Sequence, residues 1–322
     1  MDTIARLPDI VDPTITEILD QTKDQLSADM QYKSMGYEDY SPSIPTPKFS
    51  STSGLSVAQL TLEGVAYSNE NRTQGYDVQA TVKKYTKSVS WTEELYEWII
   101  RSNKERAMEF REDVTAVQHS LYERCDTEAA KLVYLAHTTT FQTGGDGVAL
   151  ATYNHASTEP GVAVQRNIYK TTETHQPLSY ASLVTARDRM VRYYDLKGVQ
   201  MQKPKNLELW IAQENREAAE RALNANKLPG TDWNDPNTLK GTITIKVIDW
   251  QPAAYSTYWA LVDKTRVKRG VKMVWGWQPR FNQDSNYMNG TFYRTGSVYF
   301  VPTFRDWNWG FFSKGDGSAV AL

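Results

Sequence analysis

The sequence predicts an α+β fold, in which one long helix lies between extended segments and a mixed α/β region. No glycine or proline occurs from Tyr76 through Thr143, and helix-forming residues dominate from Trp91 onward. Ahead of the helix, apolar and polar residues alternate from Tyr76 to Val82, as a half-exposed strand requires. After residue 147, helical patterns and short apolar strands follow one another. Together these three observations indicate an α+β chain.

The composition favours a folded chain with a sizeable core. Of the 322 residues, 40% are hydrophobic and 12% are aromatic. Lys and Arg number 36 against 38 Asp and Glu, so the chain has no overall charge suited to wrapping nucleic acid or coating an anionic membrane. Any contact with DNA would therefore be local.

The cysteine count and the hydropathy pattern exclude several classes of protein. The single cysteine, Cys125, excludes an intrachain disulfide framework and a multi-cysteine zinc site, which fits a reducing cytoplasm. No stretch approaches the roughly 20 apolar residues needed to cross a bilayer, and the first residues lack a secretory pattern. We therefore expect a soluble protein with no membrane partner.

Residues 1–54 are expected to form an extended arm. A short amphipathic piece comes first, with apolar residues at positions 15, 18, 19 and 26. Prolines at positions 42, 45 and 47 then forbid a helix and favour an extended path. A flexible tail without fixed contacts is the alternative.

Residues 55–90 are expected to form a long hairpin. An early strand around Val57 to Ala66 precedes the alternating segment, and the polar stretch Ser68 to Gly75 suits the tip. An isolated two-stranded hairpin is marginal in water, so a projecting one needs a neighbouring surface, such as another subunit. The alternative is a hairpin folded onto its own domain.

The helix that follows is the strongest feature of the chain. Ser90 and Glu93 match a capping box, and a polar stretch at Arg101 to Arg106 is the expected break, which leaves a long helix near Glu105 to His137. A coiled-coil dimer is the alternative, although the heptad pattern is poor near the break. The apolar positions recur mostly by threes and fours: Trp91, Leu95, Trp98, Ile99, Phe110, Val114, Val117, Leu121, Cys125, Leu132, Val133 and Ala136.

The remainder combines helices with apolar strands. The predicted elements are a helix at Tyr180 to Tyr194, a strand at Leu207 to Ala212, a helix at Glu214 to Ala225 and strands at Thr242 to Trp250 and Tyr258 to Val262. Aromatic strands rich in tryptophan complete the chain, and these side chains are expected in the core or in interfaces.

Motifs that would indicate chemistry are missing, so we predict no catalytic, cofactor-binding or metal-binding residues. The histidines at positions 119, 137, 155 and 175 form no zinc motif, and there is no nucleophile elbow, Walker A loop or dinucleotide fingerprint. Gly144 to Gly147 is interpreted as a helix stop rather than a phosphate loop, and Arg266 to Lys272 as a solvated turn before a strand. An enzyme remains open, because acid/base carboxylates leave no sequence signature.

The order of these elements resembles the capsid fold of phage Hong Kong 97. Lys87 to Trp98, KSVSWTEELYEW, is similar to the transition from the strand leaving the E-loop into a helix. Gly144 to Ser157, GGDGVALATYNHAS, resembles the DG-x-x-L…H segment of Mu-like major head subunits. Residues 178–198 and 204–223 resemble the helix and strand-helix pair of the A-domain in that fold.

This resemblance implies a domain division. Residues 1–54 would be the N-terminal arm, and residues 55–90 the E-loop hairpin. Residues 91–140 and 271–303 would form the P-domain with its spine helix, and residues 141–270 and 304–322 the mixed α/β A-domain.

The function implied is that of a tailed-bacteriophage major capsid protein, without enzymatic activity. Copies would assemble as pentamers and hexamers in the host cytoplasm and enclose double-stranded DNA, held non-specifically, in the virion. Portal and decoration proteins would be further partners. Because no room for a scaffolding region precedes the arm, the resemblance implies either a separate scaffolding protein or none. The alternatives are an encapsulin-like nanocompartment and a soluble α/β oligomeric enzyme.

Overall fold

Helices and strands alternate along the part of the chain that the computed structural model describes, namely residues 25–56, 58–63, 65–92, 94–95, 104–227, 236–286 and 290–320. The helices are α1 (Gln31–Met35), α2 (Lys104–Tyr134), α3 (Tyr180–Val191), α4 (Arg216–Asn224) and α5 (Lys264–Gly270). The strands are β1 (Glu38–Tyr40), β2 (Lys48–Thr52), β3 (Gln74–Gln79), β4 (Lys83–Thr92), β5 (Leu207–Ile211), β6 (Ile243–Val247), β7 (Trp259–Asp263), β8 (Val271–Asn286), β9 (Thr291–Phe304) and β10 (Gly310–Ser313).

The first sheet has the order β1-β8-β9-β4 and packs against α2. β8 and β9 form a long antiparallel pair, β4 pairs antiparallel with β9 along its whole length, and β1 runs parallel to β8. Gly296 of β9 lies in close contact with the helix, because a Cβ there would be 2.6 Å from Leu121 Cδ1. A side chain at this position would have to displace the side chains of Leu121 and Phe281. The buried apolar residues of α2 recur at helical spacing: Val114, Val117, Leu121, Cys125, Ala129, Leu132 and Val133.

The second sheet has the order β10-β7-β5-β6. β5 runs parallel to β6 and antiparallel to β7, and every residue of β5 and β7 is buried. Such continuous apolar strands are typical of a sheet covered on both faces. The buried residues of both sheets belong to one core, in which Trp210, Trp259 and Trp309 are almost completely enclosed.

β2 and β3 form a small antiparallel sheet of their own. Phe49 of β2 packs with Ala80 and Val82 against Val274 of β8. This contact holds the small sheet on the body, and the segment between β2 and β3 projects from it.

The predicted strand around Val57 to Ala66 is wrong. Residues 58–63 and 65–66 lie in no helix or strand, and β3 pairs instead with β2, which belongs to the predicted arm. The reason is burial, because Phe49 of β2 reaches the core whereas Leu60 is 93% exposed. Without a neighbouring strand, the described residues 58–63 and 65–66 have no ladder partner for their backbone groups.

The second half of the predicted arm is part of the body. Tyr32 and Met35 of α1 are each 1% exposed. The backbone N–H groups of Gln31 and Tyr32 both donate to the Asp126 carboxylate of α2, at 3.0 Å. These contacts fix this part of the predicted arm on the body, which disagrees with the alternative of a flexible tail without fixed contacts. Residues 1–24 lie outside the described residues.

The predicted helix start is also wrong in its first residues. Ser90 and Trp91 belong to β4, where they pair with Tyr293 and Phe292. The extended pairing with β9 overrides the local helix signal. Glu93 and the first residues of the predicted break, 101–103, lie outside the described residues.

Later predictions are closer to the structure. α2 ends at Tyr134, three residues before the predicted end, and the predicted elements between residues 180 and 262 occur within a few residues of their expected bounds. The solvated turn predicted at Arg266 to Lys272 is wrong, since α5 occupies most of it. Asp263 caps this helix by accepting a hydrogen bond from Thr265 N at 3.0 Å.

Candidate assembly surface

Residues 54–73, here called the limb, connect β2 to β3 and expose apolar side chains. The exposed fractions are 51% for Leu55, 93% for Leu60, 71% for Leu62, 58% for Val65 and 91% for Tyr67. Single exposed apolar residues are ordinary, but five on one short segment form a candidate interface. Burial of each Leu or Val side chain would contribute about 1.5–3 kcal/mol. The limb is therefore suited to contact with another molecule.

The limb is an open loop rather than a β-ladder. Val65 N donates to Leu62 O at 3.2 Å, which turns the chain at the tip. At the base, Ser53 N donates to Thr73 O and Thr73 N donates to Ser53 Oγ, each at 2.9 Å. The apolar side chains thus lie between a turn and a closed base.

The base of the limb also contacts the turn that follows α3, residues 195–199. The backbone N–H of Gly54 donates to Asp195 Oδ2 at 2.8 Å. Lys197 Nζ donates to Asn71 O at 2.7 Å. Both ends of the limb are therefore attached to the same turn.

Glu70 completes this attachment. Its Oε1 accepts from Lys197 Nζ at 2.8 Å, and its Oε2 accepts from the backbone N and the Oγ of Ser56, at 2.8 and 2.5 Å. These hydrogen bonds, first from Lys197 and then from Ser56, lower the pKa of Glu70 to about 2. The carboxylate is ionised at any ordinary pH.

A cavity of about 550 Å³ opens beside the limb base. Gly54 and Leu55 line one side, and Arg266 and Trp307 line another. Arg266 is engaged by the protein, since its guanidinium donates to Asn308 O at 3.0 Å and lies 3.6 Å from Asp263. The cavity is thus a junction between the limb and the second sheet.

The segment Gly144 to Ser157 is held by a buried histidine. His155 Nδ1 lies 2.7 Å from Asp146 Oδ2, and its ring stacks on Trp307 at a centroid distance of 4.4 Å. The other ring nitrogen faces Leu150 O at 3.2 Å, inside the core. With both nitrogens occupied and the ring 3% exposed, the pair has a structural role.

A pair of histidines, His137 and His175, holds the C-terminal segment. His137 and His175 meet edge to face with ring centroids 4.9 Å apart, beside Tyr258. Lys314 N donates to His175 Nδ1 at 3.4 Å. Burial lowers the pKa of His175 to about 4 and lowers the pKa of His137 well below its ordinary value.

Across the described ranges, no three His, Cys, Asp or Glu side chains are grouped so that they could hold a metal ion. None of the helices in those ranges combines the length and the apolar content that spanning a bilayer requires. The expectation that the chain has no catalytic or cofactor site stays a prediction.

Comparison with solved structures decides the fold. The chain matches the capsid of a native GTA particle with a TM-score of 0.52 at 10% identity, over 88% of this chain and 89% of that one. It matches the capsid of Myoviridae phage XM1 with a TM-score of 0.51 at 10% identity, over 88% of this chain and 91% of that one. It has the Hong Kong 97 capsid fold. The structure of Mycobacterium phage Patience gives a third match, with a TM-score of 0.51 at 11% identity, over 99% of this chain and 90% of that one. No protein-family model and no curated protein matches the chain.

The capsid fold therefore agrees with the element order predicted from the sequence, and at such low identity the likeness shows the fold alone. Sequence reasoning missed Glu70, Asp195 and Lys197 at the limb base. Asp195 followed by Gly198 is a turn pattern that could have located the attachment point. Nothing in the sequence pairs that turn with Glu70, because Glu70 and Lys197 are 127 residues apart along the chain and become neighbours only through the fold.

Proposed function

We propose that this chain is a major capsid protein of a tailed bacteriophage, which assembles into an icosahedral shell around double-stranded DNA. The observation that carries the proposal is the exposed apolar limb on a chain with the capsid fold. The subunit leaves Leu60 and Tyr67 exposed, and a neighbouring copy supplies a surface for them. Obligate contacts of this kind bury about 2,000 Å² or more.

The proposed domains follow the capsid fold. Residues 55–90 act as the E-loop, residues 91–140 and 271–303 as the P-domain, and residues 141–270 and 304–322 as the A-domain, with an N-terminal arm at residues 1–54. Copies group as pentamers and hexamers, and portal, decoration and scaffolding proteins are further partners. The near balance of charges supports loose, non-specific contact with packaged DNA.

Purified protein tests this proposal directly. We expect closed particles by negative-stain microscopy and a mass of many subunits by sedimentation. The double variant Leu60→Asp with Leu62→Asp should remain a folded subunit and should not assemble, because charged side chains on the limb oppose its burial.

The control is Val164→Asp, which introduces one aspartate at an apolar residue that is 54% exposed outside the limb. It should leave assembly unchanged. Wild-type protein that stays a small oligomer, or normal shells from the double limb variant, would contradict the proposal. Particles filled with protein rather than nucleic acid would identify a nanocompartment instead.

A further inference from the structure

Both ends of the limb are attached to the turn that follows α3, residues 195–199, and this arrangement limits the directions in which the limb can project. Gly54, at the outgoing end, bonds to Asp195, and Glu70, at the returning end, bonds to Lys197. Two residues of a single five-residue turn therefore hold both chains of the limb. A loop held at one end only would keep far more conformational freedom.

The turn itself is closed by its own hydrogen bonds. Asp195 Oδ1 accepts from the backbone N–H groups of Lys197 and Val199, each at 2.9 Å, and Gly198 adopts a φ of 75°. Glycine adopts this left-handed conformation without the strain that an L side chain would cause, so Gly198 lets the turn close around the Asp195 carboxylate. Because one oxygen of Asp195 shapes the turn and the other binds Gly54, turn and limb are coupled through one carboxylate.

Glu70 couples the two chains of the limb to each other. One carboxylate oxygen binds Lys197, and the other binds both the N–H and the hydroxyl of Ser56. At the tip of the limb, the chain turns through the hydrogen bond from Val65 N to Leu62 O. The direction of the apolar side chains is therefore set at the base.

We propose that Glu70, Asp195 and Lys197 form a clamp that sets the direction of the limb, so that a limb without the clamp cannot reach a neighbouring copy in the geometry that a closed shell needs. The clamp rests on the proposed function. Exposed ion pairs add little to stability, so the value of the clamp lies in pre-organising the limb before contact. These three residues act as positioning residues and do not form the contact itself.

Charge reversal with rescue tests the clamp. Glu70→Lys should raise the hydrogen-exchange rate of the Ser56 amide on the order of tenfold, which corresponds to loss of its charge-assisted hydrogen bond to Glu70 Oε2. Lys197→Glu should raise the same rate by a smaller factor, because it removes the side chain that holds Glu70 in place. Both should give misshapen or few particles with an unchanged melting temperature. The double reversal should recover part of the assembly, because an ion pair of opposite order forms again.

The matched control is Glu217→Lys on α4, which breaks the exposed ion pair to Arg221. It should change neither limb exchange nor particle shape. Wild-type protein that forms no shells contradicts the proposed function, whatever the exchange rates are. If the wild-type protein forms shells, two results overturn the clamp. One is that Glu70→Lys also forms uniform shells, and the other is that Glu70→Lys leaves the amide exchange unchanged.

Discussion

The limb and the helix-sheet body use the same kinds of side chain in opposite ways. Phe300 in the body is fully buried and packs with Tyr85 and Trp275, at ring centroid distances of 5.3 and 5.4 Å. Leu60 and Tyr67 in the limb are more than nine-tenths exposed. The difference shows that the body is stable through its own packing, whereas the apolar surface of the limb contributes nothing until another molecule covers it. Stability and assembly should therefore respond to different substitutions.

The largest expected effect on stability is in the body. Phe300→Ala should reduce the free energy of unfolding by about 3–5 kcal/mol, because it leaves a cavity between α2 and the first sheet. Urea denaturation of the unassembled subunit measures this loss. Phe300→Leu fills more of the cavity and should cost less; equal and small losses for both variants would show that the body is not held by this packing.

The next effect is pH-dependent and also belongs to the body. His137 and His175 are neutral in the fold, facing Tyr258, Lys314 and Asp316, whereas in the unfolded chain they take up protons near pH 6.5. Stability should therefore be full above about pH 6.5 and fall as the pH drops toward about 4, by on the order of 2 kcal/mol.

Thermal unfolding between pH 4 and pH 7 tests this fall. His119→Gln is the control, since His119 is exposed on α2 and its replacement should leave the pH profile as it is. The limb base should not follow the same profile, because Glu70, with a pKa of about 2, stays ionised throughout. If the limb detached over the same pH range in which the body loses stability, the two regions would not respond independently, and this prediction would be wrong.

The smallest expected effect on stability lies in the limb. Tyr67→Ala should change the free energy of unfolding by no more than about 0.5 kcal/mol, because the side chain has almost no contacts to lose. The same substitution should weaken assembly, measured as the protein concentration at which particles form. A destabilised subunit would mean that the limb packs on its own body in solution.

The body was more predictable from the sequence than the limb, for a physical reason. Val117, Leu121 and Cys125 recur at helical spacing within a long run free of glycine and proline, so local sequence specifies both the helix and its buried face. Phe49 and Leu60 look equally suited to a strand, yet Phe49 lies in the core whereas Leu60 is 93% exposed. Pairing between distant strands depends on the whole fold, which local patterns do not contain.

Sequence patterns missed the short elements that connect the two sheets for a related reason. The seven residues of α5 include four basic side chains and too few apolar ones to show a helical period. The cap from Asp263 and the packing of buried Val267 make the helix stable in place. The limb attachment is similar, because Glu70 and Lys197 lie 127 residues apart and become neighbours only after folding.

Burial of Cys125 has a practical consequence for chemical labelling. The only sulfhydryl of the chain is inaccessible, and burial raises its pKa well above the ordinary value, so maleimides and gold reagents should leave the native protein untouched. A cysteine introduced at Asn71 would then be a unique point for attaching a dye, from which the orientation of the limb could be followed by energy transfer while particles form.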